Sequence, residues 1–179
     1  MLRDWQPNIY VFASLSAVIS GLAIAAFVYL RAREVPAAKS FMILCVSGSL
    51  WCLFPTFASL PFSDETILFL ARTAYLPAGT CLASFLHLAF DMCEDERRAL
   101  RRRCLLASYG FAAVLTLWTF HPAFMSGVVR YAPYFSAVGG PLYHVLVAFY
   151  VVTAGYGVVM TVRNFRLAKG EQRNRLKYF

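Results

Sequence analysis

Long apolar runs alternate with short polar connections along this chain. A helix needs about 20 residues to cross the hydrocarbon core of a bilayer. Five runs approach or exceed that length, and we predict a membrane-spanning helix in each: residues 9–30, 40–60, 66–90, 104–120 and 142–162. The pattern therefore predicts an all-α fold, a polytopic transmembrane helical bundle in which residues 1–179 form a single integral-membrane domain.

Basic residues give this bundle an orientation. Of the 17 Lys and Arg residues, all but Arg3, Arg72 and Arg130 belong to three clusters that border the runs. The clusters are Arg31, Arg33 and Lys39; Arg97, Arg98, Arg101, Arg102 and Arg103; and Arg163, Arg166, Lys169, Arg173, Arg175 and Lys177. Because basic residues concentrate in cytoplasmic connections, we predict that the N-terminus lies outside and the C-terminus lies in the cytoplasm.

Composition favours the same class of protein. Hydrophobic residues make up 60% of the chain and charged residues 15%, against about 25% charged residues in soluble domains. The net charge of +8 would suit nucleic acid, but these charges border apolar runs and form no stripe on a polar fold. We therefore predict a lipid bilayer with anionic headgroups as the partner, and no nucleic acid.

Motifs of catalysis and metal binding are missing from the sequence. It contains no Walker sequence, HExxH, GxSxG or paired catalytic carboxylates, and its five cysteines and three histidines form no CxxC or HxxxH spacing. Lys39, Lys169 and Lys177 all lie in connections, so no span offers a lysine for a retinal Schiff base. We predict a chain that is not itself an enzyme, with no catalytic residue, metal or cofactor.

Arg72 is the one basic residue inside an apolar run. A guanidinium at the centre of a bilayer costs at least ~2.5 kcal/mol on insertion scales, but a position nearer the interface lowers that cost. Arg72 lies about 9 Å from the outer end of its run, so its side chain can snorkel outward, with Asp64 and Glu65 as the nearest acidic partners. The alternative is a site in which Arg72 orients an anionic ligand or changes partners during signalling.

The outer connection over residues 121–141 is long and nearly uncharged. It carries Tyr131, Tyr134 and Phe135, with Tyr143 close behind. Amphipathic rings favour the headgroup region, so most of these aromatics are expected to be interfacial anchors, and a ligand-contacting surface is the alternative.

Two further features lie in the third run. Pro77 removes one backbone hydrogen bond and predicts a kink near residues 74–77. His87 is followed at i+4 by Asp91, which favours a structural hydrogen bond at the interface over a proton relay. Small residues in other runs predict close helix packing; these are Ser16, Ser20, Gly21, Ser47, Gly48, Ser49, Gly155 and Gly157.

Several stretches together resemble the seven-helix N-terminal sensory region of bacterial membrane histidine kinases. They are Trp51, the stretch from Arg72 to Pro77 that leads to residues 85–90, the sequence Gly-Pro-Leu-Tyr at 140–143, and the basic tail at 163–179. The resemblance covers the first five of seven helices. It implies a sensor of a two-component system in the bacterial inner membrane, and it carries over no active site.

This resemblance implies that the chain is a membrane-embedded signal-input domain that biases a cytoplasmic kinase or cyclase output module. The implied partners are a small-molecule or lipid signal, the output module and a second copy of the chain. Arg72, Tyr75, Trp51, Tyr131 and Tyr134 are the candidate sensing residues, and Pro77 is the candidate for coupling the outer layer to the inner connections.

Two other functions fit the sequence. One is a small transporter or channel subunit in which Arg72 lines an anion pathway; the other is a structural membrane subunit. The transporter requires further polar residues on one internal face, where the spans offer mainly Thr80, Ser84 and His87. Under the sensor hypothesis two spans and the output module are missing after Phe179, so we expect a chain truncated at its C-terminus.

Overall fold

A computed structural model describes residues 9–58, 62–92, 98–131 and 134–167 of the chain. These residues form five α-helices and one antiparallel β-hairpin. In chain order the elements are α1 (Ile9–Ala32), α2 (Pro36–Ala58), α3 (Asp64–Met92), α4 (Arg98–Trp118), β1 (Met125–Tyr131), β2 (Tyr134–Gly139) and α5 (Pro141–Leu167). The predicted class, a polytopic helical bundle, is confirmed.

Local sequence explains where three of the helices begin. Pro36 and Pro141 occupy the first positions of α2 and α5, where a missing N–H costs nothing and the fixed φ suits a helix. Ser63 precedes α3, and its Oγ accepts a hydrogen bond from the backbone N–H of Thr66 at 3.3 Å. Asp64 and Glu65 then place negative charge in the first turn of α3.

Four helices within the described part of the chain, α1, α2, α3 and α5, are long and apolar enough to cross a membrane. The helix α4 is the exception because its first six residues include Arg98, Arg101, Arg102 and Arg103. Its apolar part begins at Cys104, where the sequence places the start of the fourth run. The arginines that precede this run, Arg98 and Arg101 to Arg103, therefore belong to the same helix, and they do not form a separate loop.

The helix α3 lies at the centre of the described bundle, in contact with α2, α4, α5 and both strands. Its buried surface is rich in small side chains, including Ala74, Ala78, Gly79, Ala83, Ser84 and Ala89. Lipid tails are as apolar as the helices, so helices in a membrane associate mainly through close van der Waals packing. Small residues on α3 permit that approach from three sides.

Glycines mark the contacts between neighbouring helices. A side chain at Gly21 would meet Ser49 of α2, and one at Gly79 would meet Ala112 of α4. A Cβ at Gly157 of α5 would lie 2.8 Å from Cε1 of Phe85 on α3, whereas one at Gly155 would meet no atom within 4 Å. Of the two glycines predicted for packing in the fifth run, only Gly157 lies at a helix contact in the described structure.

The two ends of the bundle differ in chemistry. Hydrogen bonds from Ser40 and Arg101 to Asp91 bring the start of α2, the end of α3 and the start of α4 together. We call this the basic end; the end of α1 and the end of α5 carry Arg31 and Arg166 there. The described members of all three basic clusters therefore lie at one end. The opposite end, which carries the β-hairpin, is the hairpin end.

The outer connection over residues 121–141, for which the sequence analysis predicted no secondary structure, contains the β-hairpin. Its strands pair in a register that joins Val128 to Ala137 and Arg130 to Phe135, with an irregularity between Met125 and Gly127. β-branched and aromatic side chains are frequent on both strands, which is typical of β-structure. Hydrogen bonding between the strands pairs the backbone groups that face the partner strand, which would otherwise need water.

Matched glycine variants test the packing of α5 on α3. We expect Gly157→Val to destabilise the bundle by about 1–3 kcal/mol, the usual effect of overpacking, because its side chain collides with Phe85. Gly155→Val, two residues away on the same helix, should change stability little. The thermal midpoint of each variant in detergent micelles measures the difference, and equal losses would contradict this packing.

Candidate functional site

Arg72 anchors the β-hairpin to α3. Its Nη2 donates a hydrogen bond of 2.7 Å to the backbone carbonyl of Met125, the first residue of β1. Met125 is buried, and Arg72 Nε is also buried but has no hydrogen-bond partner among the described residues. The sequence indicated outward snorkelling toward Asp64 and Glu65, whereas the hydrogen bond in the structure joins Arg72 to the outer connection.

Three aromatic rings reinforce the same contact. Tyr75, one turn after Arg72, makes edge-to-face contacts with Phe124 and with Tyr143, at centroid distances of 5.4 and 5.8 Å. Phe124 and Tyr143 also meet edge to face at 6.3 Å. Phe124 is 1% exposed and belongs to a core cluster that includes Leu82 and Leu146. Edge-to-face pairs contribute about 0.5–1.5 kcal/mol each beyond area burial, so this trio fixes the base of the hairpin on α3 and α5.

Backbone hydrogen bonds connect the hairpin to the start of α5. Gly140 N–H donates to the Phe124 carbonyl at 2.9 Å, and Leu142 N–H donates to the Ala123 carbonyl at 3.1 Å. A Cβ at Gly140 would collide with the Ala123 carbonyl oxygen. The Gly-Pro sequence at 140–141 therefore has a structural reason: glycine permits the close approach, and proline begins the helix.

The other candidate sensing residues are placed differently. Trp51 lies half-buried on α2 and takes part in none of the ring contacts in the described part of the chain. Tyr131 and Tyr134 face each other in the backbone register at the tip of the hairpin, and their side chains lie outside the described atoms. Pro77 lies within α3, which continues as one helix from Asp64 to Met92. Of the predicted set, the structure joins Arg72 and Tyr75 around the hairpin base.

A second polar site lies at the basic end, around Asp91. The Asp91 side chain is only 4% exposed. Its carboxylate accepts a hydrogen bond of 2.7 Å from Ser40 Oγ on α2 and another from Arg101 Nη2 on α4. A buried carboxylate is tolerated when it is paired and hydrogen-bonded. Asp91 thus joins three helices through a charge that would be costly without its partners.

His87 extends this network along α3. Its Nε2 lies 3.8 Å from Asp91 Oδ2, so the i,i+4 spacing does bring the two side chains together. Its Nδ1 lies 3.3 Å from the hydroxyl of Tyr109 on α4, and that hydroxyl lies 3.4 Å from Ser84 Oγ. The polar groups at this end therefore connect α3 with α4 at two depths.

Arg72 and Asp91 lie on the same uninterrupted helix. They are separated by 19 residues, or about 28 Å at a rise of 1.5 Å per residue. One polar group contacts the hairpin and the other contacts α2 and α4. The geometry therefore connects the two ends of the bundle through one continuous helix.

The sequence interpretation missed Ser40, Arg101 and Tyr109 as partners of Asp91 and His87. Each lies at least ten residues from its partner, where helical spacing gives no information. The hairpin was also missed. Its signal was partial: Val128, Val129, Tyr131, Tyr134 and Phe135 are residue types favoured in strands, but no glycine-containing turn pair separates the two runs.

Comparison with known protein families identifies the class of protein. The sequence-family model named N-terminal 7TM region of histidine kinase matches residues 12–178 of the chain. The chain therefore belongs to this family, and the resemblance noted in the sequence is confirmed. Searches among curated proteins and among solved structures found no match.

The family defines the chain as the N-terminal membrane region of a histidine kinase, a sensory region that is not itself the catalytic domain. Membership implies a membrane context and a cytoplasmic kinase output module.

Removing the Arg72 anchor should loosen the hairpin. In Arg72→Met the hydrogen bond to the Met125 carbonyl is lost, and bonds to charged groups contribute about 1.5–3 kcal/mol. We expect faster amide hydrogen exchange in both strands. Thr73→Ala is the control, since among the described residues the Thr73 hydroxyl donates to the Phe69 carbonyl of its own helix and to no other group. Unchanged exchange in Arg72→Met would show that the hairpin is held by its aromatic contacts alone.

A double-mutant cycle tests the contact between Asp91 and Arg101. We expect Asp91→Ala and Arg101→Ala to be non-additive by about 0.5–3 kcal/mol in the free energy of unfolding, because either change leaves the other charge unpaired. Denaturation in mixed micelles provides the measurement. The pair Asp91→Ala and Arg103→Ala should be additive, and equal coupling in both cycles would exclude a specific contact.

Proposed function

We propose that this chain is the signal-input domain of its kinase, in which the hairpin end receives an external or membrane-borne cue. Family membership supports the kinase context. The observation that carries the proposal is the hydrogen bond of Arg72 to Met125, because it makes the position of the hairpin depend on α3. A cue that favours one position of the hairpin then favours one position of α3.

The inner half of α3 supplies the route to the output. A shift or rotation of α3 changes the geometry of Asp91 relative to Ser40 and Arg101, which belong to α2 and α4. Packed helices with paired polar contacts have discrete arrangements and do not deform continuously, so a small displacement can select between two states. Pro77 lies between the two ends and weakens the backbone hydrogen bonding of α3 at that point.

The proposed orientation places the basic end in the cytoplasm. Support comes from the convergence of the three basic clusters at one end of the bundle, since cytoplasmic connections are rich in Lys and Arg. The hairpin end then lies outside, and the inner membrane of a bacterium is the expected location.

A transport function has weaker support. Four cavities of about 280–520 Å³ lie on the described bundle, and their walls are mainly apolar. Arg72 lines none of these four, and its guanidinium already bonds the hairpin. An anion pathway would require Arg72 to leave that partner.

An N-terminal epitope tag on the chromosomal gene tests the proposal. The tagged polypeptide is isolated from native membranes, reconstituted in lipid nanodiscs and incubated with labelled ATP. We expect a phosphohistidine, stable to alkali and labile to acid, on the polypeptide or on a kinase that copurifies with it. The tag should be accessible to protease from outside in intact spheroplasts.

Variants separate a sensory role from mere kinase association. Arg72→Met should change the phosphorylation rate severalfold by releasing the hairpin, while the neighbouring Thr73→Ala should leave it unchanged. Absence of any histidine phosphorylation would refute the kinase context. Normal phosphorylation with no response to Arg72→Met would refute the role of the hairpin anchor while leaving the family assignment in place.

A further inference from the structure

A groove between α3 and α4 at the basic end combines arginines with an apolar wall. Its volume is about 450 Å³, and it is lined by His87, Arg101, Arg102, Leu105, Leu106 and Tyr109. Leu106 is 64% exposed, so one wall of the groove is open to the lipid. The groove lies beside the Asp91 network and has no part in anchoring the hairpin.

The lining residues that α4 contributes change from charged to apolar along the helix axis. Arg101 and Arg102 lie in the first turns, Leu105 and Leu106 follow one turn later, and Tyr109 lies about 10 Å from Arg102 along the axis. Positions four residues apart share a face of a helix. This face therefore has a cationic head and an apolar stem, the arrangement that complements an amphiphile with an anionic headgroup.

The two arginines differ in their partners. Arg101 donates to Asp91, whereas Arg102 has no ion pair among the residues that the structure describes. The second basic cluster has five arginines, and they outnumber the nearby acidic residues Asp91, Glu94, Asp95 and Glu96. Glu94, Asp95 and Glu96 lie outside the described residues. Positive charge is thus in excess over residues 91–103 of the sequence, and Arg102, which has no acidic partner among the described residues, can donate two hydrogen bonds to a phosphate.

We propose that this groove binds an anionic phospholipid. The headgroup phosphate is held by Arg102 with help from Arg101, and an acyl chain lies along Leu105 and Leu106 toward Tyr109. Basic pockets between membrane helices suit such headgroups because the charge lies at headgroup depth and the apolar wall lies below it. A soluble phosphate compound would gain nothing from the leucines, so the combination favours a lipid.

Arg101 gives the bound lipid a means of acting on the bundle. It faces the groove and also holds Asp91, so a phosphate near Arg101 competes with the carboxylate that joins α2, α3 and α4. An effect of lipid on kinase output rests on the proposed function; binding of the lipid does not.

Native mass spectrometry of the full polypeptide, released from detergent, tests the site. The protein is titrated with phosphatidylglycerol and with phosphatidylcholine of the same acyl chains. We expect phosphatidylglycerol to bind more tightly, and Arg102→Gln to weaken it about fivefold, the loss expected for one basic residue at a membrane surface. Arg103→Gln is the matched control: it removes the same charge from the next residue, which does not line the groove.

A second variant tests the apolar wall without changing charge. Leu106→Trp should fill the groove and weaken phosphatidylglycerol binding, while helical circular dichroism shows that the exposed position tolerates the change. Equal losses in Arg102→Gln and Arg103→Gln, or equal affinity for both lipids, would overturn the proposal. Displacement of the lipid by glycerol phosphate alone at comparable concentration would also overturn it, because the ligand would then be a soluble phosphate compound.

Discussion

Close approach of the helices to α3 is the constraint on which this bundle depends. Within lipid, burial of apolar surface between helices gains little over contact with acyl chains, so the helices must gain from packing and from polar contacts. Small residues such as Ala78, Gly79 and Ala83 let the backbones of neighbouring helices approach α3. Gly157 likewise lets the backbone of α5 approach Phe85 of α3 closely. A bulkier α3 would separate the helices that carry the polar contacts.

Polar groups at the two ends of α3 then give the bundle specificity. An apolar helix can rotate against its neighbours at little cost, but a half-buried guanidinium or a buried carboxylate needs its partner. Arg72 finds a backbone carbonyl of the hairpin, and Asp91 finds Ser40 and Arg101. These partners fix the rotation of α3 relative to the hairpin, to α2 and to α4. They also make α3 the element through which a change at one end can reach the other.

The helix α4 differs from the other helices because its first turns are basic and the rest of it is apolar. Its apolar part packs on α3 at Gly79 and Ala112, while its first turns carry arginines that extend beyond a membrane span. A fully apolar helix in this position would offer the bundle no contact with charged headgroups. The amphipathic start of α4 instead places basic side chains beside the end of α3, where the Asp91 network lies.

Sequence alone determined the helices, their approximate ends and the class of protein. Apolar runs, basic clusters and prolines at helix starts are local signals, because a helix satisfies its own backbone hydrogen bonds. The family resemblance followed from stretches such as Arg72 to Pro77, and the match over residues 12–178 confirms it. The predicted pairing of His87 with Asp91 also needed only the spacing of a helix.

Tertiary structure decided which distant residues meet. Arg72 and Met125 are 53 positions apart, and Ser40 and Asp91 are 51 apart, so neither contact follows from helical periodicity. The outer connection forms a hairpin in which the strands pair the backbone groups that face each other, while Phe124 and Met125 enter the core. Side-chain partners across helices depend on rotation and depth, which a one-dimensional pattern of apolar and polar residues does not contain. The residues of both polar sites could therefore be named from the sequence only in part, whereas their partners required the packed bundle.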